Sequence, residues 1–153
     1  MSDKTQLKVQ LYQACADNIN QRINTIRLSL YSLAEARNNE TKSSVGDKHE
    51  TGRAMMQLEE EKFSNQLAQA LEVQNELKKI NPSAFSTQIG VGSLVITNSG
   101  LFYLSIGIGK LRLGDQTYFC ISHKSPIGTL LWNKKKGEHI EFNGRKIEIE
   151  DIL

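Results

Sequence analysis

The stretch VQLYQACADNINQRINTIRLSLYSL, Val9 to Leu33, decides the fold of the first half of this chain. Val9, Tyr12, Ala16, Ile19, Ile23, Ile26, Leu30 and Leu33 recur at alternating steps of three and four residues, with polar residues on the remaining faces. That is the a/d seam of a heptad repeat, sustained for more than three heptads. One helix alone does not bury such a seam, so it needs a partner. Downstream, Met56, Phe63, Leu67, Ala70 and Leu77 carry a weaker heptad interrupted by Glu60 and Gln74. Between the two lies Asn38 to Gly46, rich in residues that favour caps and turns. A short break between two amphipathic helices argues an antiparallel hairpin, and a helix of about 35 residues is roughly 50 Å long. The arrangement left open beside it is pairing of the first seam with a second copy of the chain.

Composition changes at Asn81-Pro82. Gly46 and Gly52 are the only glycines before it, and the other glycines and both prolines follow it. Beyond Pro82, Ile89 to Thr97 and Leu101 to Ile108 flank the turn signal Asn98-Ser99-Gly100. Thr117 to Ser122 is a further β-like run, and Glu138 to Phe142 and Lys146 to Ile149 surround Asn143-Gly144, the strongest short hairpin signal. Ser125 to Trp132 reads as one short helix with Ser125 as N-cap and Pro126 at its first position. The expected fold class is therefore α+β. An N-terminal antiparallel two-helix coiled coil spans residues 1–80, and a small antiparallel β domain with one short helix spans 81–153.

Bulk properties narrow the function. At 153 residues, 39% apolar and 24% charged, the chain has a globular composition. No apolar run approaches the roughly 18 residues of a membrane span, and Met1 to Val9 lacks the apolar core of a secretory signal. The expectation is a cytoplasmic protein with no membrane partner. A net charge of +2, balanced along the chain, does not argue direct nucleic-acid binding. Cys15 and Cys120 lie far apart in segments of different character and read as small apolar side chains rather than a disulfide in a reducing cytosol. They and the scattered His49, His123 and His139 lack the spacing of a structural metal site.

The chemistry-bearing stretch is Gly46-Asp47-Lys48-His49-Glu50 at the hairpin tip. Two carboxylates three residues apart at a helix start share a face, and together they suit a hard cation such as Mg²⁺. Two are too few for a site of their own and enough to complete one supplied largely by a partner. The same spacing is also a capping box, with Asp47 as cap and Glu50 reaching back to it. Gly107-Ile108-Gly109-Lys110 lacks full phosphate-loop spacing and reads as a strand end and turn. Lys134-Lys135-Lys136 reads as a solvated loop, and Trp132 as a core aromatic closing the short helix.

Taken together, Glu35-Ala36-Arg37 followed by Gly46-Asp47-x-x-Glu50 resembles the acidic tip of the bacterial Gre transcript cleavage factors. Ile121-Ser122-His123-Lys124-Ser125-Pro126-Ile127, continuing through Leu131 to Lys134-Lys135-Lys136-Gly137-Glu138, resembles that family's C-terminal signature. The two motifs stand in the family's order, and the resemblance covers most of the chain.

The resemblance implies a coiled-coil finger entering the secondary channel of RNA polymerase, with an FKBP-like C-terminal domain docking at the channel entrance through Ser125, Pro126 and Ile127. It implies that Asp47 and Glu50 help hold a catalytic Mg²⁺ shared with the polymerase, none being bound by the chain alone. The polymerase itself then cuts backtracked RNA. On this reading the chain is a monomeric accessory factor that meets nucleic acid only through the polymerase. Three departures stand out: the lengthened segment between Arg37 and Gly46, Thr51-Gly52-Arg53-Ala54 after the acids, and Trp132-Asn133 where the family has glycine before the lysines. The other classes considered are a channel-binding regulator without cleavage activity, a coiled-coil adaptor, and a prolyl isomerase of FKBP type.

Overall fold

A computed structural model describes residues 3–41 and 46–153, with side chains described for 3–39 and 51–153. Two long helices come first, α1 (Asp3–Thr41) and α2 (Gly46–Lys78). Six strands follow, β1 (Leu94–Thr97), β2 (Gly100–Leu104), β3 (Gly109–Leu113), β4 (Gln116–Ile121), β5 (His139–Phe142) and β6 (Arg145–Ile152), with a short helix α3 (Pro126–Leu131) before β5. The expected α+β class is the observed one. No helix among the described residues is long and apolar enough to cross a membrane.

Two compact units divide the chain inside the helices rather than at the composition break. One comprises Met1–Asn18 with Asn75–Leu153, the other Ile19–Gln74.

In the helical unit the partner of the α1 seam is α2 of the same chain. Ile19, Ile23, Ile26 and Ala70 are buried. The two residues that interrupt the α2 heptad are answered from α1: Glu60 forms an ion pair with Arg37, and the Gln74 side-chain amide donates to Asn20 Oδ1 at 2.7 Å. A position high in α1 thus pairs with one low in α2 and the reverse, the signature of antiparallel packing. Polar pairs on a seam add little stability, but they fix register.

In the other unit the seam is displaced by one residue. Lys8, Leu11 and Cys15 are buried where Val9, Tyr12 and Ala16 were expected, and these three are only half-buried. The reason is the partner. In this unit the first turns of α1 lie against the β-sheet, so a heptad made for a helix no longer dictates the inward face.

The sheet order is β3-β4-β2-β1-β6-β5. Every pair is antiparallel except β2 with β4, which is parallel, so the expected all-antiparallel sheet is in fact mixed. The chain leaves β2, runs through β3 one position away, and turns back tightly so that β4 fills the gap between them. Strand β3 lies where only a strand end and turn were expected. Gly114, at a φ of 63°, and Asp115 make the two-residue connection to β4.

The expected strand from Ile89 begins only at Leu94. Gly92 adopts a φ of 90°, and the Gly90 amide donates to Ser93 Oγ at 3.0 Å, so a turn precedes β1. At the other end, Asn143 and Gly144 take φ values of 52° and 78°, the left-handed pair that a two-residue hairpin requires.

Alternation along the strands gives the sheet two buried faces. Val95, Phe102, Leu104, Ile147 and Ile149 pack with Leu131 of α3 and, at its edge, Ile127. Phe102 stacks on Phe119 across the parallel pair, ring centroids 5.5 Å apart. Leu94, Tyr103, Tyr118 and Cys120 point to the opposite face, which receives α1 through Cys15.

On that side Lys8 is 1% exposed. Its ammonium donates to the Ala84 carbonyl at 2.6 Å and sits 4.8 Å from the centre of the Phe85 ring. Burial pulls its pKa from 10.5 down to about 8. Between those values the unfolded chain holds a proton that the folded chain has released, so this group makes stability rise with pH across the window. Below pH 8 both states are protonated and the cost of burying the charge is felt in full. Lys8→Met is expected to be more stable than the parent by about 1–2 kcal/mol at pH 7. The difference should shrink towards pH 10. Urea unfolding of both proteins across this range checks it, and a difference independent of pH contradicts it.

Candidate functional site

Two places carry the residues singled out from the sequence. The first is the start of α2. The helix begins at Gly46, so Asp47 falls inside its first turn rather than at a cap position, with Glu50 three residues on. The side chains of Asp47 and Glu50 lie outside the described residues. By type they offer hard oxygen donors, which suit Mg²⁺, but two donors do not make a closed site. Among the described residues no cluster of three or more His, Cys, Asp or Glu could hold a metal ion. On the same unit, Arg37, Arg53, Gln57, Glu60 and Ser64 line an open hollow of about 770 Å³. Arg53 and the Arg37–Glu60 pair thus place charge of both signs there, which the sequence signalled only as a heptad gap at Glu60.

The second place is the turn into α3. Ser125 is its N-cap, as its sequence predicts: the hydroxyl accepts from the Gly128 amide at 3.1 Å and donates to the Ser122 carbonyl at 2.6 Å. Ser122 Oγ in turn accepts from the Lys124 amide at 3.1 Å. Pro126 occupies the first helical turn, where its missing N–H costs nothing. The close approach of α3 to this turn is possible only because residue 128 has no side chain: a Cβ there would run into the Ser122 carbonyl oxygen and stand 2.9 Å from Ser125 Oγ.

The three residues of the expected docking motif therefore do different things. Ser125 holds the helix start, Ile127 packs at the edge of the core, and Pro126 faces solvent. What α3 exposes beside Pro126 is Leu130, 39% accessible, and Trp132, 38%. Trp132 is not the core aromatic expected. It rests on His123, ring centroids 5.2 Å apart, and leaves its outer face in solvent. Lys124 and Lys135 are exposed nearby in sequence, and Lys136 lies 4.0 Å from Asp151. Leu130 and Trp132 are thus exposed apolar side chains at the end of α3, with basic residues close by in sequence.

Asn133, which stands where the resemblance leads one to expect glycine, adopts a φ of 66° directly after α3. After glycine, asparagine is the residue that best tolerates this left-handed position past a helix end. Its amide donates to the Ile89 carbonyl at 2.9 Å, and the Trp132 amide closes the helix on Gly128 O at 3.0 Å.

A third grouping was invisible in the sequence. Cys15 and Cys120, whose sequence settings suggest separate small apolar side chains, have sulfurs 3.6 Å apart, with Ser105 Oγ 3.8 Å from Cys15. No spacing rule could have found this pair, because one member is on α1 and the other on β4.

Comparison with family models, with curated proteins and with solved structures finds no match to this chain.

Proposed function

We infer that this chain is a Gre-like accessory factor of bacterial RNA polymerase. Its helical hairpin enters the secondary channel, and its FKBP-like domain docks at the entrance. The observation that carries the reading is a combination on one chain: an antiparallel hairpin whose second helix opens with Gly46-Asp47-x-x-Glu50, and a sheet unit whose short helix opens with a capped Ser125-Pro126. The left-handed Asn133 supports it further, because an apparent departure from the resemblance preserves the turn.

The surface offered to the polymerase comprises Pro126, Leu130 and Trp132, with Lys124 and Lys135 close by in sequence. Large apolar side chains desolvated at the centre of an interface carry most of its energy. The basic residues beside this surface suit an acidic apolar partner. On the helical unit, Asp47 and Glu50 would help hold a Mg²⁺ of the polymerase, which would supply activation of water and stabilisation of the leaving oxygen. Their part is to hold that ion and orient the water.

A second reading is favoured by one observation. Helix α1 continues to Thr41, about one turn or roughly 6 Å beyond Arg37. Metal coordination tolerates displacements far smaller than that. A factor with such a tip would occupy the channel and regulate transcription without promoting cleavage.

Binding of the full-length chain to bacterial core RNA polymerase tests the shared part of both readings. The doubly substituted Leu130→Ser/Trp132→Ser protein is expected to bind at least about tenfold more weakly. Unchanged circular dichroism of the variant at the assay temperature excludes unfolding as the cause, a needed control because Trp132 also rests on His123. No binding by the parent, or equal binding by the two proteins, rejects the proposed docking surface.

A further inference from the structure

Beyond any role at the polymerase, the sheet-bearing unit holds two buried thiols whose chemistry nothing above uses. Cys15, on α1, is 0% exposed and Cys120, on β4, is 1% exposed. Their sulfurs are 3.6 Å apart although the residues are 105 positions apart in the chain. We propose that Cys15 and Cys120 form a reversible dithiol–disulfide site, oxidised by hydrogen peroxide, that cross-links the first turns of α1 to the sheet.

Geometry comes first. A disulfide needs the sulfurs at about 2.05 Å, so closure requires roughly 1.5 Å of approach, within reach of side-chain rotation. The surroundings are polar in an otherwise apolar layer. Ser105 Oγ stands 3.8 Å from the Cys15 sulfur. The Tyr103 hydroxyl, on a side chain with no exposure, is the one buried side-chain oxygen or nitrogen among the described residues without a hydrogen-bond partner. Tyr103 pairs in register with Cys120, and its hydroxyl feels the charge of both sulfurs. A buried donor left unsatisfied is costly. Beside a dithiol, it is available to an anionic sulfur or to the oxygen of an oxidised one.

The two sulfurs are also unequal. Sharing a proton with Cys120 pulls the Cys15 thiol below its ordinary value, whereas the same contact and burial push Cys120 up. Cys15, whose sulfur also has Ser105 Oγ at 3.8 Å, is assigned as the attacking sulfur and Cys120 as the resolving one.

The steps balance without any further reactant. The Cys15 sulfur attacks one peroxide oxygen, the O–O bond breaks, and the departing hydroxide takes up the thiol proton and leaves as water. Cys15 is then a sulfenic acid. The Cys120 sulfur attacks the Cys15 sulfur, the S–S bond forms, the S–O bond breaks, and a second water leaves with the Cys120 proton. Two thiols lose two electrons in all, and the peroxide gains them. Because the sulfurs are buried, the first step waits on a local opening of α1 from the sheet. Once formed, the bond suppresses that opening, so oxidation stabilises the unit that undergoes it.

The test uses the full-length, fully reduced chain exposed to a modest excess of hydrogen peroxide and then freed of it. The expected product is a monomer lighter by two hydrogens, with no thiol alkylated in denaturant and a Cys15–Cys120 cross-linked peptide on digestion. Its thermal midpoint should be higher than that of the reduced protein and return on treatment with dithiothreitol. A Cys120→Ala protein, checked for unchanged circular dichroism, should stop at a sulfenic acid on Cys15 that a 1,3-dicarbonyl probe captures. Two thiols still free after exposure overturn the proposal. So do oxygen adducts without a cross-link, or a disulfide joining two chains.

Discussion

Replacing Gly128 by alanine is expected to destabilise the sheet-bearing unit by roughly 2–4 kcal/mol, a large loss for a single methyl group. The backbone of residue 128 is an ordinary helical one, so the cost is not conformational. It arises because the added Cβ would occupy the space of the Ser122 carbonyl oxygen and crowd Ser125 Oγ and the His123 Cα, which stands at 3.0 Å. Neither the carbonyl nor the cap can give way alone. Ser122 O accepts from the Ser125 hydroxyl and from the Ser125 amide at 3.0 Å, and Ser125 Oγ holds the Gly128 amide. Moving any of these loosens the start of α3, which carries the fully buried Leu131 into the core.

For a unit of this size, a loss of that order lowers the thermal midpoint by about 10 °C or more. Gly90→Ala is the matched control. It adds the same methyl group where nothing lies within 4 Å, and it should change stability by less than about 0.5 kcal/mol. Equal midpoints for the parent and Gly128→Ala would mean that α3 is not held to this turn as described.

Why some of this was legible in the sequence and some was not follows from where the information sits. The Val9–Leu33 seam announced a helix pair because heptad spacing is local, and its Ile19, Ile23 and Ile26 are buried as expected, with Leu30 and Leu33 partly so. Before Ile19 the same spacing misplaced the inward face by one residue, because the partner there is a sheet and no local pattern encodes the identity of a distant surface. Ser125-Pro126 and Asn143-Gly144 were legible for the same local reason: caps and tight turns are set by one residue's own hydrogen bonds or dihedral angles.

The parallel β2–β4 pair was not legible. Strand β3 reads GKLRL, half-exposed and short, and the order in which strands meet is a long-range choice. At the candidate sites, the motifs named Ser125 and Ile127, but not the exposure of Trp132 or the left-handed Asn133. The Cys15–Cys120 pair needed the fold itself.

The second large effect concerns the tip. If Asp47 and Glu50 complete a polymerase-held Mg²⁺ site, replacing both carboxylates by amides removes the charge that holds the ion while keeping the size and shape of the side chains. Neutral amide oxygens are weak ligands for a hard dication. Loss of metal-holding groups costs about 10²-fold or more in rate, equivalent to roughly 3 kcal/mol of transition-state stabilisation. Docking, proposed to reside on α3, should be unaffected. Asp47→Asn/Glu50→Gln therefore separates the two ends of the proposed mechanism in one protein.

The most direct measurement is RNA cleavage in a purified, deliberately backtracked elongation complex, with the parent chain, with Asp47→Asn/Glu50→Gln, and with neither. The account predicts that the parent accelerates cleavage in a Mg²⁺-dependent manner, and that the double variant binds the complex as tightly yet loses the acceleration by about 10²-fold. Tight binding by the parent with no acceleration would contradict cleavage assistance by the tip.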